Sequence, residues 1–127
     1  MKKEILSNID APKAIGPYSP ALKIGNLVFV SGQLPVEPST GEIVKGGISA
    51  QAKRSLENLR LVLKPYGIDF QHIVKVTIFL KDMGNFSSVN EIYGKYFTSD
   101  FPARSCIEVA KLPKDAQIEI EAIACFN

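Results

Sequence analysis

Arg104, Cys106 and Glu119 are the residues of this chain whose types and spacing can do chemistry. The first two stand in Phe101-Pro102-Ala103-Arg104-Ser105-Cys106, and the glutamate follows on the next strand-like segment. A guanidinium at the mouth of a strand, close to a proline, presents the planar fork that takes a carboxylate through two parallel N–H bonds. For an arginine with no further context, an ion pair between strands or subunits is the commoner use. Glu119 lies between Ile118 and Ile120, and apolar surroundings raise a carboxyl pKa and suit it to acid or base work. The plain alternative is a salt bridge, with Lys75 as the candidate partner. Glu121, two residues on and sharing its face, satisfies the same arguments. Cys106 is a nucleophile if a cation lowers its pKa; more often a strand cysteine is a small buried apolar side chain. Tyr18, between Pro17 and Pro20, is a ligand contact or a loop anchor. Ser31-Gly32-Gln33 ends a strand, where glycine admits close approach to the backbone or simply turns the chain. His72 is the single histidine and is assigned only a local hydrogen bond.

Strand alternation puts Arg104, Cys106 and Glu108 on one face and Ser105, Ile107 and Val109 on the other. The apolar set is expected to look into a core. The arginine and cysteine then look together at solvent, an interface or a site.

The composition narrows what these residues can do. A chain of 127 residues is one domain, 1–127, and 46% hydrophobic content with 22% charged is ordinary for a globular protein. Net charge is +2 with lysine and arginine scattered, so no basic stripe offers itself to nucleic acid. No apolar run is long enough to cross a bilayer, and Ile5-Leu6 is too short for a signal region, so a cytoplasmic protein with reduced Cys106 and Cys125 is expected. One histidine and two cysteines lack the paired spacing of a zinc site, and phosphate-binding glycine loops are absent, so no metal site is expected.

The elements that must position the candidates follow from period and punctuation. Ala21–Ile24 and Leu27–Ser31 read as a hairpin turning at Gly25-Asn26. Ile48, Ala52, Leu56, Leu59 and Leu63 recur at helical spacing, with Gln51, Lys53, Arg54, Glu57 and Arg60 on the polar side, until Pro65 and Gly67. Residues 73–81 alternate as a strand. Phe86, Val89, Tyr93, Tyr96 and Phe97 form a second helical stripe. Residues 104–110 and 117–125 are the last two strands. This order predicts an α+β fold, a mixed sheet with two helices packed on one face. The other face is expected to carry Lys75, Thr77, Cys106, Glu108, Glu119 and Glu121 among Phe29 and Phe79. It is too apolar for plain surface and too charged for a core, so subunit association through it is expected.

Several blocks in order resemble the RidA/YjgF family: Ala14-Ile15-Gly16-Pro17-Tyr18-Ser19, Val30-Ser31-Gly32-Gln33, Gln51-Ala52, the Phe101–Cys106 block, Val109-Ala110-Lys111-Leu112-Pro113, and Ile118-Glu119-Ile120-Glu121-Ala122-Ile123-Ala124. The resemblance implies a chorismate-mutase-like fold assembled as a homotrimer with clefts between subunits. It implies an enamine/imine deaminase that converts reactive 2-imino acids, such as those from 2-aminoacrylate, to 2-keto acids and ammonia, with no cofactor. Under it, Arg104 binds the substrate carboxylate and Glu119 positions water and moves protons. Tyr18, Ser31, Gly32, Asn90 and Cys106 line the cleft. Family labels also include translation inhibitor, endoribonuclease and regulatory binder of small 2-keto acids. A histidine pair and a basic-aromatic platform for RNA are missing from the sequence, and an anion binder gains nothing from a nearby glutamate.

Overall fold

The alternating runs of the chain become the strands of one mixed sheet in the computed structural model, which describes residues 2–126. The strands are β1 (Glu4–Leu6), β2 (Ala21–Ile24), β3 (Leu27–Gln33), β4 (Ile73–Leu80), β5 (Ala103–Glu108) and β6 (Ile118–Cys125), in the spatial order β1-β2-β3-β6-β4-β5. All neighbours are antiparallel except β4 and β5, which run parallel. The hairpin turns at Gly25-Asn26 as expected, since Ile24 pairs with Leu27. Strand β1 was not expected; the short Ile5-Leu6 pair suffices because it adds to the edge of an existing sheet.

Two helices, α1 (Gly47–Leu63) and α2 (Phe86–Tyr96), pack on one face. Helix α1 starts after Gly46, whose φ of 114° and whose approach to the Ala50 Cβ (2.9 Å from an added Cβ) both demand glycine. It ends where Pro65 and Gly67 tighten the chain into a 3-10 turn. Its buried stripe is wider than the apolar spacing implies. Gln51, expected on the polar side, is buried, and so are Ser55 and Asn58. For Gln51 and Asn58 the reason is backbone left over by the loops. Gln51 Oε1 accepts the Gln117 N–H at 2.9 Å, and Asn58 Nδ2 donates to the Leu34 and Val36 carbonyls at 3.0 and 2.9 Å. Tyr96 of α2 donates its hydroxyl to Glu57 of α1 at 2.7 Å, and burial followed by that carboxylate pushes the phenol pKa up to about 12.

The core lies between helices and sheet. Val28 and Val30 of β3, Val76, Ile78 and Leu80 of β4, and Ile118 and Ile120 of β6 all point into it. Val74, expected in that row, is 46% exposed, because a bulge between Ile73 and Lys75 shifts the alternation by one. The expected helix-covered and open faces are therefore present, with one reversal on β5 that decides the geometry of the site. No helix among the described residues is long and apolar enough to cross a membrane.

Candidate functional site

Strand β5 is an edge strand, and its faces are the reverse of those expected. Its register aligns Arg104 with Val76 and Cys106 with Ile78, residues that face the helices. Ser105 and Ile107 instead align with Thr77 and Phe79 on the open face, where Ile107 is 46% exposed. The expectation that Ser105, Ile107 and Val109 fill the core fails, and so does the placement of Cys106 and Glu108 on the open face. The physical reason is the edge: β5 has a strand neighbour on one side only, so its helix-side row lies at the rim of the core and can hold an arginine and a glutamate.

Arg104 lies on aromatic rings. Its guanidinium carbon is 4.7 Å from the centroid of Tyr93 and 5.5 Å from that of Phe86. No carboxylate among the described residues forms an ion pair with it. The inter-strand ion pair considered for this arginine is not formed, and its N–H groups remain available to an anion. Asn90 stands one turn from Phe86 and from Tyr93 on α2, and that spacing puts it on the helix side facing Arg104. Cys106 is half-buried beside them. Burial pushes its thiol pKa up, and Arg104 offsets this only in part, so the thiol is protonated at neutral pH. Arg104, Asn90 and Cys106 thus form one cluster.

Glu119 belongs to a second cluster on the open face. It pairs in register with Phe79, and its side chain lies over Gly32, where β3 and β6 slip register. A Cβ added at Gly32 would stand 2.5 Å from Glu119 Oε2 and 2.8 Å from its Cδ. The glycine is therefore a seat for the carboxylate, not only a turn. Burial raises the Glu119 pKa, and the neighbouring Glu121 adds to the rise. The alternative, a salt bridge to Lys75, is not formed; the Lys75 ammonium donates to Ser105 Oγ at 3.1 Å. Ser31 donates its hydroxyl to the Ser19 carbonyl at 2.6 Å and its N–H to the Pro20 carbonyl at 2.9 Å, which pins the loop carrying Tyr18 to β3. Tyr18 is both anchor and surface: its hydroxyl accepts the Ile15 N–H at 3.3 Å while its ring is half-exposed. Tyr18 and Ser31 line a shallow concavity of about 660 Å³ on this face, with Lys75 and Glu121 in its wall. Glu119, Arg104, Asn90 and Cys106 lie outside it. His72 makes the local bond assigned to it, its Nδ1 accepting the Asp69 N–H.

The sequence-selected residues thus separate into two clusters: Arg104, Asn90 and Cys106 on the helix side, and Glu119, Gly32, Ser31 and Tyr18 on the open side. The sequence marks Phe86 and Tyr93 only as part of a helical stripe. Their spacing of seven residues on the helix that faces Arg104 was the signal for more.

Comparison with known proteins agrees with the resemblance drawn from the motifs. A family model described as endoribonuclease L-PSP matches residues 8–126. A RutC family protein of Pyrococcus abyssi is 52% identical over 98% of both chains. The 2-iminobutanoate/2-iminopropanoate deaminase of Homo sapiens is 47% identical over 96% of this chain and 89% of its own. The crystal structure of the YjgF gene product from E. coli superimposes with a TM-score of 0.92 at 45% identity, covering 98% of this chain and 99% of that one. The chain belongs to the family that this model describes, the YjgF/RidA family.

Proposed function

We propose that this protein is an enamine/imine deaminase that hydrolyses small 2-imino acids to 2-keto acids and ammonia, in a cleft built by two copies of the chain. The observation that carries the reading is the pair of unmatched groups: a seated cation without an acid, and a half-buried acid without a cation. Arg104 supplies the fork for the substrate carboxylate. Glu119, whose pKa is raised by burial and then by Glu121, supplies a stronger base than an ordinary carboxylate. A neutral C=N carbon next to a carboxylate is already electrophilic. Glu119 takes a proton as water adds its oxygen to C2, and returns it to nitrogen. Glu119 then carries the C2 hydroxyl proton to the amine nitrogen as the C=O double bond forms and the C–N bond breaks, and the products are a 2-keto acid and ammonia. Orientation and general acid-base catalysis account for such a step. The human relative named for this reaction, at 47% identity, supports the assignment.

The two clusters lie on opposite faces of one sheet, so a single chain does not bring them to one substrate. In our reading the helix-side cluster of one copy meets the open face of the next. A contact between two different surfaces makes a ring when its rotation closes, and the family resemblance sets the ring at three. The open face suits burial, with Leu27, Phe29 and Ile107 more than a third exposed around its polar residues.

The test is ammonia release when a PLP enzyme generates 2-aminoacrylate from serine in the presence of the protein. Release above the uncatalysed rate is expected. Tight binding of 2-keto acids with no acceleration would instead make it a regulatory binder. Sedimentation equilibrium should give three times the 13.9 kDa chain mass; a monomer would remove the shared cleft.

A further inference from the structure

We propose that Tyr93 is a positioning residue for Arg104: with Phe86 it seats the guanidinium, and its hydroxyl oxygen takes up an N–H group that a bound carboxylate leaves over. The inference rests on the reading of Arg104 as a carboxylate clamp. Phe86 and Tyr93 rise from the same side of α2, and the guanidinium lies over both rings. A guanidinium held on π-faces keeps its N–H edges free, whereas one held by an aspartate has them occupied. The rings orient the clamp without competing with the substrate for its charge.

The hydroxyl is the second observation. Tyr93 is 7% exposed, and its Oη is buried without a hydrogen bond of full geometry, the Arg104 guanidinium being the donor close enough to act on it. Phenylalanine would fill the same space without the unmet group, and a buried polar atom without a partner is destabilising. The ring is stacked on Phe97 at 4.4 Å, which holds it against the core and away from water. Arg104 is the charged donor beside it. A bidentate carboxylate engages two of the five guanidinium N–H groups, and the others need acceptors on the protein side. The Tyr93 oxygen is an acceptor in the right place. Burial, the larger effect, raises the phenol pKa and Arg104 lowers it, so the group is a neutral acceptor at physiological pH.

The experiment compares Tyr93→Phe and Tyr93→Leu with the wild-type chain, by calorimetric titration with 2-oxobutanoate, thermal unfolding without ligand, and steady-state ammonia release. Tyr93→Phe keeps the ring and removes the orphan oxygen. It should unfold at or above the wild-type temperature, bind 2-oxobutanoate roughly tenfold more weakly, and raise KM while leaving kcat nearly unchanged. Tyr93→Leu should bind more weakly still. If that variant does not fold, Phe86→Leu, which removes the other ring and keeps the hydroxyl, should also weaken binding. Wild-type affinity in Tyr93→Phe overturns the proposal, as does lost stability at unchanged affinity, which would make Tyr93 a core residue only. A wild-type chain that binds 2-oxobutanoate but releases no ammonia ends the deaminase reading and leaves this comparison decisive. One that binds no carboxylate ends the clamp and the proposal together.

Discussion

Arg104 and Glu119 lie on opposite faces of one sheet. The strands that carry them flank β4 on its two sides, and their register partners on it, Val76 and Phe79, point opposite ways. In the proposed reaction each group is therefore half of a site. Both are set in place before any substrate arrives, the arginine by aromatic rings and the glutamate by a glycine.

Gly32→Ala tests the second of these settings. The added methyl would sit 2.5 Å from Glu119 Oε2, closer than contact permits, so the carboxylate must move. Gly32 does not adopt a left-handed φ, so alanine strains no backbone there. Misplacing a catalytic group by about 1 Å can cost on the order of 10²-fold in rate. We expect kcat for ammonia release to fall by at least tenfold while the thermal unfolding temperature changes little. Unchanged kcat would show that the position of Glu119 does not matter to turnover.

Arg104 and Glu119 should fail differently. Arg104→Ala removes the carboxylate clamp and should weaken 2-keto acid binding and turnover together, by on the order of 2–5 kcal/mol. Arg104→Lys should rescue little, because a point charge does not reproduce the planar fork. Glu119→Gln keeps volume and hydrogen bonding, so 2-keto acid binding should persist while hydrolysis falls by about 10²–10⁴-fold. Calorimetry beside steady-state assays separates the two patterns. Wild-type turnover in Glu119→Gln would move the catalytic role to Glu121.

The raised Glu119 pKa has a sign that can be checked twice. As a base, Glu119 must be ionised, so kcat/KM should rise with pH through a limb centred above the ordinary glutamate value of about 4.3. For stability, a carboxyl whose folded pKa is raised contributes fully below its unfolded pKa. That contribution is lost as pH rises through the folded value. The unfolding temperature of the wild type should therefore decline across that window relative to Glu119→Gln. Parallel curves for the two proteins would contradict the burial-driven shift.

Cys106 lines the Arg104 cluster with a thiol whose pKa burial has raised. A thiol that is protonated at neutral pH is a poor nucleophile. Cys106→Ser should retain a substantial part of the ammonia release. Complete loss in a folded, fully assembled variant would require a covalent step.

The sequence showed the elements well and their faces less well. The order of strands and helices, the two stripes and the Gly25-Asn26 turn follow from local spacing, and local spacing is what forms them. Alternation on β5 separated Arg104 from Ile107 correctly but did not say which looks at the helices. Register against Val76 and Ile78 decides that, and it is a long-range fact. The Val74 bulge is of the same kind. Gly32 was legible as a glycine with a purpose, but its contact with Glu119 joins two strands far apart in the chain. Tyr93 was read as packing because its ring does pack; only the three-dimensional position of Arg104 gives its hydroxyl a second meaning.

The shared cleft is tested most directly by combining two defective chains. Arg104→Ala and Glu119→Gln, each nearly inactive alone, are co-expressed in equal amounts so that they assemble together. If the site takes Arg104 from one copy and Glu119 from the next, about a quarter of the interfaces in a randomly mixed ring carry both intact residues. Ammonia release should then recover to roughly a quarter of the wild-type rate per chain. Mixed assemblies that stay as inactive as the separate variants would contradict a site shared between copies, and with it this account of the reaction.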